Sequence, residues 1–227
     1  AEDPHRIDCT GDQSVKTNEL ISMLSSQVDP VDTREVVRNV RNAILIGAAA
    51  SLLAVVFVLG VRADLREMHA KIFLLAKLTF SLSIVILASH YLVKYTRPGG
   101  EFGVRFAVTV LPFLASMIIA AISLATAPRS HWETMVFGSY WLECLIAIPT
   151  VAVVPFAAIM AAVRLAAPTD LVHTGALAGL VAGGVSATAY ALHCMDDLLP
   201  FIALWYGGTI VLCTVAGAVL GPKLLRW

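Results

Sequence analysis

The chain has 227 residues, of which 58% are apolar and 14% charged, with 16 basic residues balancing 16 acidic ones. Ordinary soluble domains carry about 25% charged residues, so a mean hydropathy of +0.80 excludes that class. A neutral chain also gives no electrostatic support for a nucleic-acid partner.

Residues 1–14, Cys9 included, differ in composition from the rest of the chain and read as a non-native or start-site extension, with Val15 as a plausible bacterial start. Residues 15–41 form a polar tail too short to build a core alone. Thr17 or Asn18 can cap a helix from Glu19 that places Leu20, Met23 and Leu24 on one face, with Ile21 between them. Pro30 interrupts it, and Asp32 can cap a second helix through Val36, Val37 and Val40. An apolar helix with nothing in its own chain to cover it predicts a partner groove or a membrane surface. The partner is favoured, because Lys16 is the sole basic residue between Gly11 and Thr33.

A membrane-spanning helix needs about 20 mostly apolar residues. Long apolar runs are Ala43–Val61, Leu78–Tyr95, Phe106–Pro128, Cys144–Val163, Leu171–Met195 and Leu198–Pro222, all free of Asp, Glu, Lys and Arg except for Lys94 near the end of the second; that run reaches back to Ile72 if Lys77 is admitted. The fold class expected is all-α: a polytopic bundle of six transmembrane helices over residues 42–227, with a short cytoplasmic helical tail. Arg34, Arg38, Arg41, Lys94, Arg97, Arg105, Arg164, Lys223 and Arg226 fall on the tail's side, and Arg62, Arg66, Lys71 and Arg129 on the other. That bias predicts both termini inside the cell. Trp132, Tyr140, Trp141, Trp205, Tyr206 and Trp227 lie near span ends, where interfacial aromatics belong.

Gly175, Gly179 and Gly183 recur every four residues, as do Gly217 and Gly221. Small residues at that spacing let helix backbones approach closely, predicting packing between the last two spans, with a homodimer interface as the alternative. Pro149 and Pro155 predict a kinked fourth span.

Tail-in topology places Cys144 and Cys194 at the outer side, with Glu143, His193, Asp196 and Asp197 near them and His131 in an outer loop. Thiolate and imidazole suit soft metal ions, and carboxylates can complete a shell. Cys144, Cys194 and His193 are therefore candidate ligands for a transient ion, with no constitutive cofactor expected; two thiols in an oxidising compartment could instead form a disulfide. Cys213, deep in the last span, reads as packing. Lys77 is expected to pair with Glu143. No HExxH, GxSxG or CxxC occurs, which leaves hydrolase, zinc-protease and disulfide-exchange readings without their residues. A transporter or channel would line its path with buried carboxylates or histidines; no Asp or Glu falls at mid-depth.

The run Ala187-Thr-Ala-Tyr190-Ala-Leu192-His193-Cys194-Met-Asp196-Asp197, the pair Trp205-Tyr206 and the ending Gly221-Pro-Lys-Leu-Leu-Arg-Trp227 carry a family likeness. With Trp141-Leu-Glu-Cys144-Leu-x-x-Ile-Pro149 and the opening Lys16-Thr-Asn-Glu-Leu-Ile-Ser-Met-Leu24, the chain resembles the NrsF family, negative regulators of sigma F, over residues 15–227. Met195 stands where that family favours proline. The resemblance implies a bacterial inner-membrane anti-sigma factor whose tail, at Glu19, Leu20, Ile21, Met23 and Leu24, holds an extracytoplasmic-function sigma factor. It also implies that Cys144 and Cys194 sense metal or oxidative stress and trigger release.

Overall fold

A computed structural model describes Ser22 and residues 33–96 and 106–226. The chain divides into two compact units, residues 1–32 and 33–227. Ser22 is helical and exposed. The expected sigma-binding positions Glu19, Leu20, Ile21, Met23 and Leu24, the extension 1–14 and Trp227 lie outside the described residues.

The second unit is helical and has no strand among its described residues. Six helices are long and apolar enough to cross a membrane: Arg34–Leu59, Met68–Tyr95, Ala107–Thr126, Arg129–Arg164, Leu171–Tyr190 and Leu199–Leu224. Their regular cores are α1 (Thr33–Ala54), α2 (Met68–Tyr95), α3 (Leu111–Thr126), α4 (Trp141–Arg164), α5 (Leu171–Tyr190) and α6 (Gly207–Leu224). Residues 33–41, read from sequence as tail, continue into α1 without a break. Helix α2 starts well before Lys77 because the polar side chains of its first turns do not interrupt helical hydrogen bonding. A π turn over Val55–Leu59 ends the first span, and another over Ile202–Tyr206 opens the last.

Helix α5 is the axis of the bundle. Of its most apolar stretch 72% is buried, against 11% for the α3 span at the periphery. The reason is composition: glycine and alanine dominate α5, so neighbouring backbones can close around it. A Cβ built on Gly175 would lie 2.7 Å from Gly221 Cα, and one on Gly179 would lie 3.2 Å from Gly217 Cα. A Cβ built on Gly183 would lie 2.9 Å from Cys213 Cβ, so Cys213 serves as packing in this seam. The two glycine faces thus meet inside one chain. On the other flank Gly47 of α1 abuts Pro155 of α4: a Cβ built on Gly47 would lie 2.7 Å from Pro155 Cα. Pro155 is buried in that crossing, so the proline supplies a flat surface against a neighbouring backbone. Asp170 caps α5, its side chain accepting from His173 N at 3.0 Å.

Large apolar side chains such as Phe57, Val58 and Ile86 point away from the bundle. A fold surrounded by water would bury them; acyl chains would cover them. One expectation fails here. Tyr206 is fully buried in the core rather than placed at an interface. Trp141 and Trp205 pack on one another, with ring centroids 5.1 Å apart, and Phe137 joins them.

Candidate functional site

The turn between α5 and α6, residues 191–197, carries Cys194 and sits against three other parts of the fold. Cys194 and Cys144, the latter one turn into α4, are both fully buried and adjoin one another as free thiols. The rings of Tyr190 and Tyr206 enclose them, with centroids 6.1 Å apart. Both tyrosine hydroxyls are buried, Tyr190 beside Cys144 and Tyr206 beside Cys194.

Charged groups hold the turn in place. Arg62 follows the end of α1, and its Nε and Nη2 donate to Asp64 at 2.6 and 2.7 Å. Its Nη1 donates to Cys194 O at 3.1 Å and to Asp197 Oδ1 at 2.9 Å, while Nη2 grips the second Asp197 oxygen. Lys77 of α2 donates to Cys194 O and to Asp197 Oδ1, each at 2.9 Å, and lies over the Tyr206 ring. The Arg62 and Lys77 side chains are wholly buried. Buried cations persist only when paired, and two carboxylates and a carbonyl supply that pairing. Arg62 also uses its backbone, N donating to Leu192 O at 3.0 Å.

The remaining polar residues face outward from the thiols. His193 Nδ1 donates to Gly60 O at 3.0 Å, and its Nε2 meets Glu143 Oε1 at 2.8 Å. Asp196 Oδ2 accepts from Ser139 N and Tyr140 N at 2.9 and 2.7 Å, ahead of α4. Gly138 permits this approach, with φ of +55° and Asp196 against the space a side chain would fill.

These placements revise the expected pairing. Lys77 is bonded to Asp197, and Glu143 to His193, because Lys77 lies on the face of α2 turned to the α5–α6 turn. Of the candidate ligands, the structure brings Cys144 and Cys194 together; His193, Glu143, Asp196 and Asp197 are engaged elsewhere, and His131 is exposed. Among the described residues no group of three or more His, Cys, Asp or Glu is placed to share an ion. Arg62, Asp64, Gly60, Tyr190 and Tyr206 carried no assigned role in the site on sequence. Arg62 read as an ordinary loop charge, and its one visible signal is an arginine immediately beyond a long apolar run.

The electrostatics follow from the contacts. The Arg62 guanidinium holds the Asp64 carboxyl below the usual carboxylate range, and the two carboxylates raise Arg62 further above its ordinary value. Burial opposes ionisation of Asp197, but hydrogen bonds from Arg62 and Lys77 outweigh it and lower the value. At Cys194 the neighbouring Cys144 thiol, then the Lys77 ammonium, overcome burial and bring the thiol below its ordinary value. A lowered thiol favours the thiolate, the form that reacts with oxidants and soft metals.

Together the fold and the site define an all-helical protein of membrane-spanning type with a sealed dithiol at one end. The family model described as "Negative regulator of sigma F" matches residues 24–227, and the chain belongs to this family, NrsF. It is 32% identical over 213 residues to the "Probable anti-sigma-F factor NrsF" of Azospira oryzae, covering 94% of this chain and 100% of that protein. It is 27% identical over 215 residues to the "Anti-sigma-F factor NrsF" of Caulobacter vibrioides, again covering 94% and 100%. No solved structure matches it.

Proposed function

We propose that this chain is an anti-sigma factor of the bacterial inner membrane that holds an extracytoplasmic-function sigma factor through its tail and releases it when the Cys144–Cys194 pair reacts. The carrying observation is the meeting of these two free thiols, one from α4 and one from the α5–α6 turn, beside a buried ammonium. The reaction is oxidation to a disulfide by an external two-electron oxidant, which takes up both electrons and both thiol protons as the S–S bond forms, or capture of a soft ion by both sulfurs; the adjoining geometry, with no third ligand group among the described residues, favours oxidation. Family membership supports the regulatory role, and the relatives' names point to a sigma factor as partner.

The tail residues Glu19, Leu20, Ile21, Met23 and Leu24 form the sigma-binding surface in this reading. The excess of Lys and Arg on the tail's side supports both termini in the cytoplasm and the thiols toward the periplasm. Two experiments test it. The full chain in native membranes should retain the sigma factor, and Leu20→Asp with Leu24→Asp should abolish retention; undiminished retention refutes the tail as binding surface. An impermeant maleimide should label His131→Cys in intact cells; labelling only after lysis inverts the topology.

A further inference from the structure

The end of α1 is fastened to the thiol turn on both sides of Cys194. The π turn Val55–Leu59 closes with Gly60 N donating to Val55 O at 2.9 Å, and Gly60 has φ of +84°, a conformation that favours glycine. Gly60 O then receives His193 at 3.0 Å. Two residues on, Arg62 binds Leu192 O through its backbone, and Cys194 O and Asp197 through its side chain. Going the other way, the first span runs unbroken from Leu59 to Arg34, covalently continuous with the tail.

We propose that Arg62 is a positioning residue that couples the thiol pair to the tail: it fastens the Cys194 turn to α1, so that rearrangement at the pair passes down α1 as a rotation about its π turn. This rests on the reading of Cys144 and Cys194 as the sensing pair. Cys194 presents its sulfur to Cys144 and its carbonyl to Arg62, so drawing the sulfur into a bond with Cys144 displaces the carbonyl. Arg62 has little slack to absorb that displacement. Its side chain is buried, and Nε, Nη1 and Nη2 all have acceptors. The segment that can yield is the π turn, which holds one residue more than regular helix. Converting it to α geometry turns the rest of the helix by about 100° and advances it by about 1.5 Å. Two discrete hydrogen-bonding patterns supply the two-state element that coupling over such a distance needs.

The test uses the full chain with bound sigma factor in native membranes, treated with diamide. Diamide takes two electrons and two protons from the thiols, one S–S bond forms, and diamide becomes its hydrazine. Disulfide formation is read from blocked alkylation, and coupling from sigma factor released. Arg62→Lys keeps a buried cation but cannot reach both carboxylates and the Cys194 carbonyl together. It should oxidise at a rate within about twofold of the unaltered protein, with release reduced at least about tenfold, inside the usual range of coupling strengths. Arg62→Met should behave likewise; should it fail to accumulate, Arg62→Lys decides. Normal oxidation with normal release in Arg62→Lys overturns the proposal. So does loss of oxidation itself, because Arg62 would then act on the pair alone. Cys144→Ser with Cys194→Ser separates the two ideas: continued release in that variant overturns the sensing reading, while its silence beside a normally releasing Arg62→Lys overturns only the coupling.

Discussion

The glycine seam between α5 and α6 and the polar latch around Cys194 join neighbouring helices by opposite means. The seam has almost no side chains; Gly175, Gly179 and Gly183 lie on the backbone of the sixth span, and dispersion at close range holds it. The latch is made of charged side chains, Arg62, Lys77, Asp64 and Asp197, that gather from three segments and depend on each other's charge. A seam of this kind is intolerant of size and indifferent to pH. A latch of this kind is conditional on protonation and on the chemistry of the turn it holds. The molecule thus keeps a closely packed shaft under an end held by charge.

The largest expected effect is steric. A side chain on Gly179 meets the Cys213 carbonyl carbon at 3.0 Å and Gly217 Cα at 3.2 Å, whereas one on Gly208 meets nothing within 4 Å. Gly179→Leu should destabilise by about 3 kcal/mol or more, since backbone cannot move aside as a flexible side chain does. Gly208→Leu should stay within about 0.5 kcal/mol. Thermal unfolding in detergent measures both. Equal stabilities would mean that closeness does not hold the shaft together.

Next comes the latch. Asp197→Leu leaves the buried Lys77 ammonium with the Cys194 carbonyl alone and should cost about 3–5 kcal/mol. Adding Lys77→Met should recover much of that loss, and a double-mutant cycle in unfolding experiments reports the coupling. Acid distinguishes the regions further. Asp197 and Asp64 have folded-state values below the ordinary one. Their contribution is therefore complete above the unfolded carboxylate value of about 3.9 and lost as pH falls through the lower folded value. The unaltered protein and Gly179→Leu should both lose stability in that window, and Asp197→Leu should lose less.

The seam was legible because its signal is local: a four-residue repeat of glycine on one helix reports close packing whatever it packs against. The six spans were legible for a similar reason, since length and apolarity are properties of one segment. The latch was not, because its pairs join residues 62, 77 and 197, and nothing within any one segment announces them. Lys77 stood out as a charge inside a span, yet its partner could be chosen only by proximity along the expected depth, which selected Glu143. The helix faces decided otherwise. Cys144 and Cys194 were legible as neighbours in depth, while the enclosure by Tyr190 and Tyr206 was not, because it joins the end of α5 to a buried position in the π turn of the last span.

The thiol pair sharpens the contrast by its own titration. Alkylation of Cys194 by a small permeant reagent should rise with pH around a midpoint below that of an ordinary thiol, being slower below it. Cys144→Ala removes the strongest influence on that thiol, and Lys77→Met the next favourable one. Both should move the midpoint upward and slow the reaction at neutral pH, Cys144→Ala by more, on the order of tenfold. A midpoint unmoved in both variants would mean that the latch does not tune the sulfur.

The smallest effect should lie at Asp196, the one anchor of the turn that binds only backbone. Its Oδ2 receives Ser139 N and Tyr140 N, the donors that open α4 and would otherwise be unpaired. Ser139 is exposed, so water can replace the carboxylate there, and Asp196→Ala should cost about 1 kcal/mol. Asp196→Asn keeps an acceptor oxygen and should lose only a few tenths. Neither change touches the Arg62 contacts, so sigma release on oxidation should remain as in the unaltered protein. A strong loss of release in Asp196→Asn would extend the latch into α4 and make that helix, rather than α1 alone, a carrier of the response.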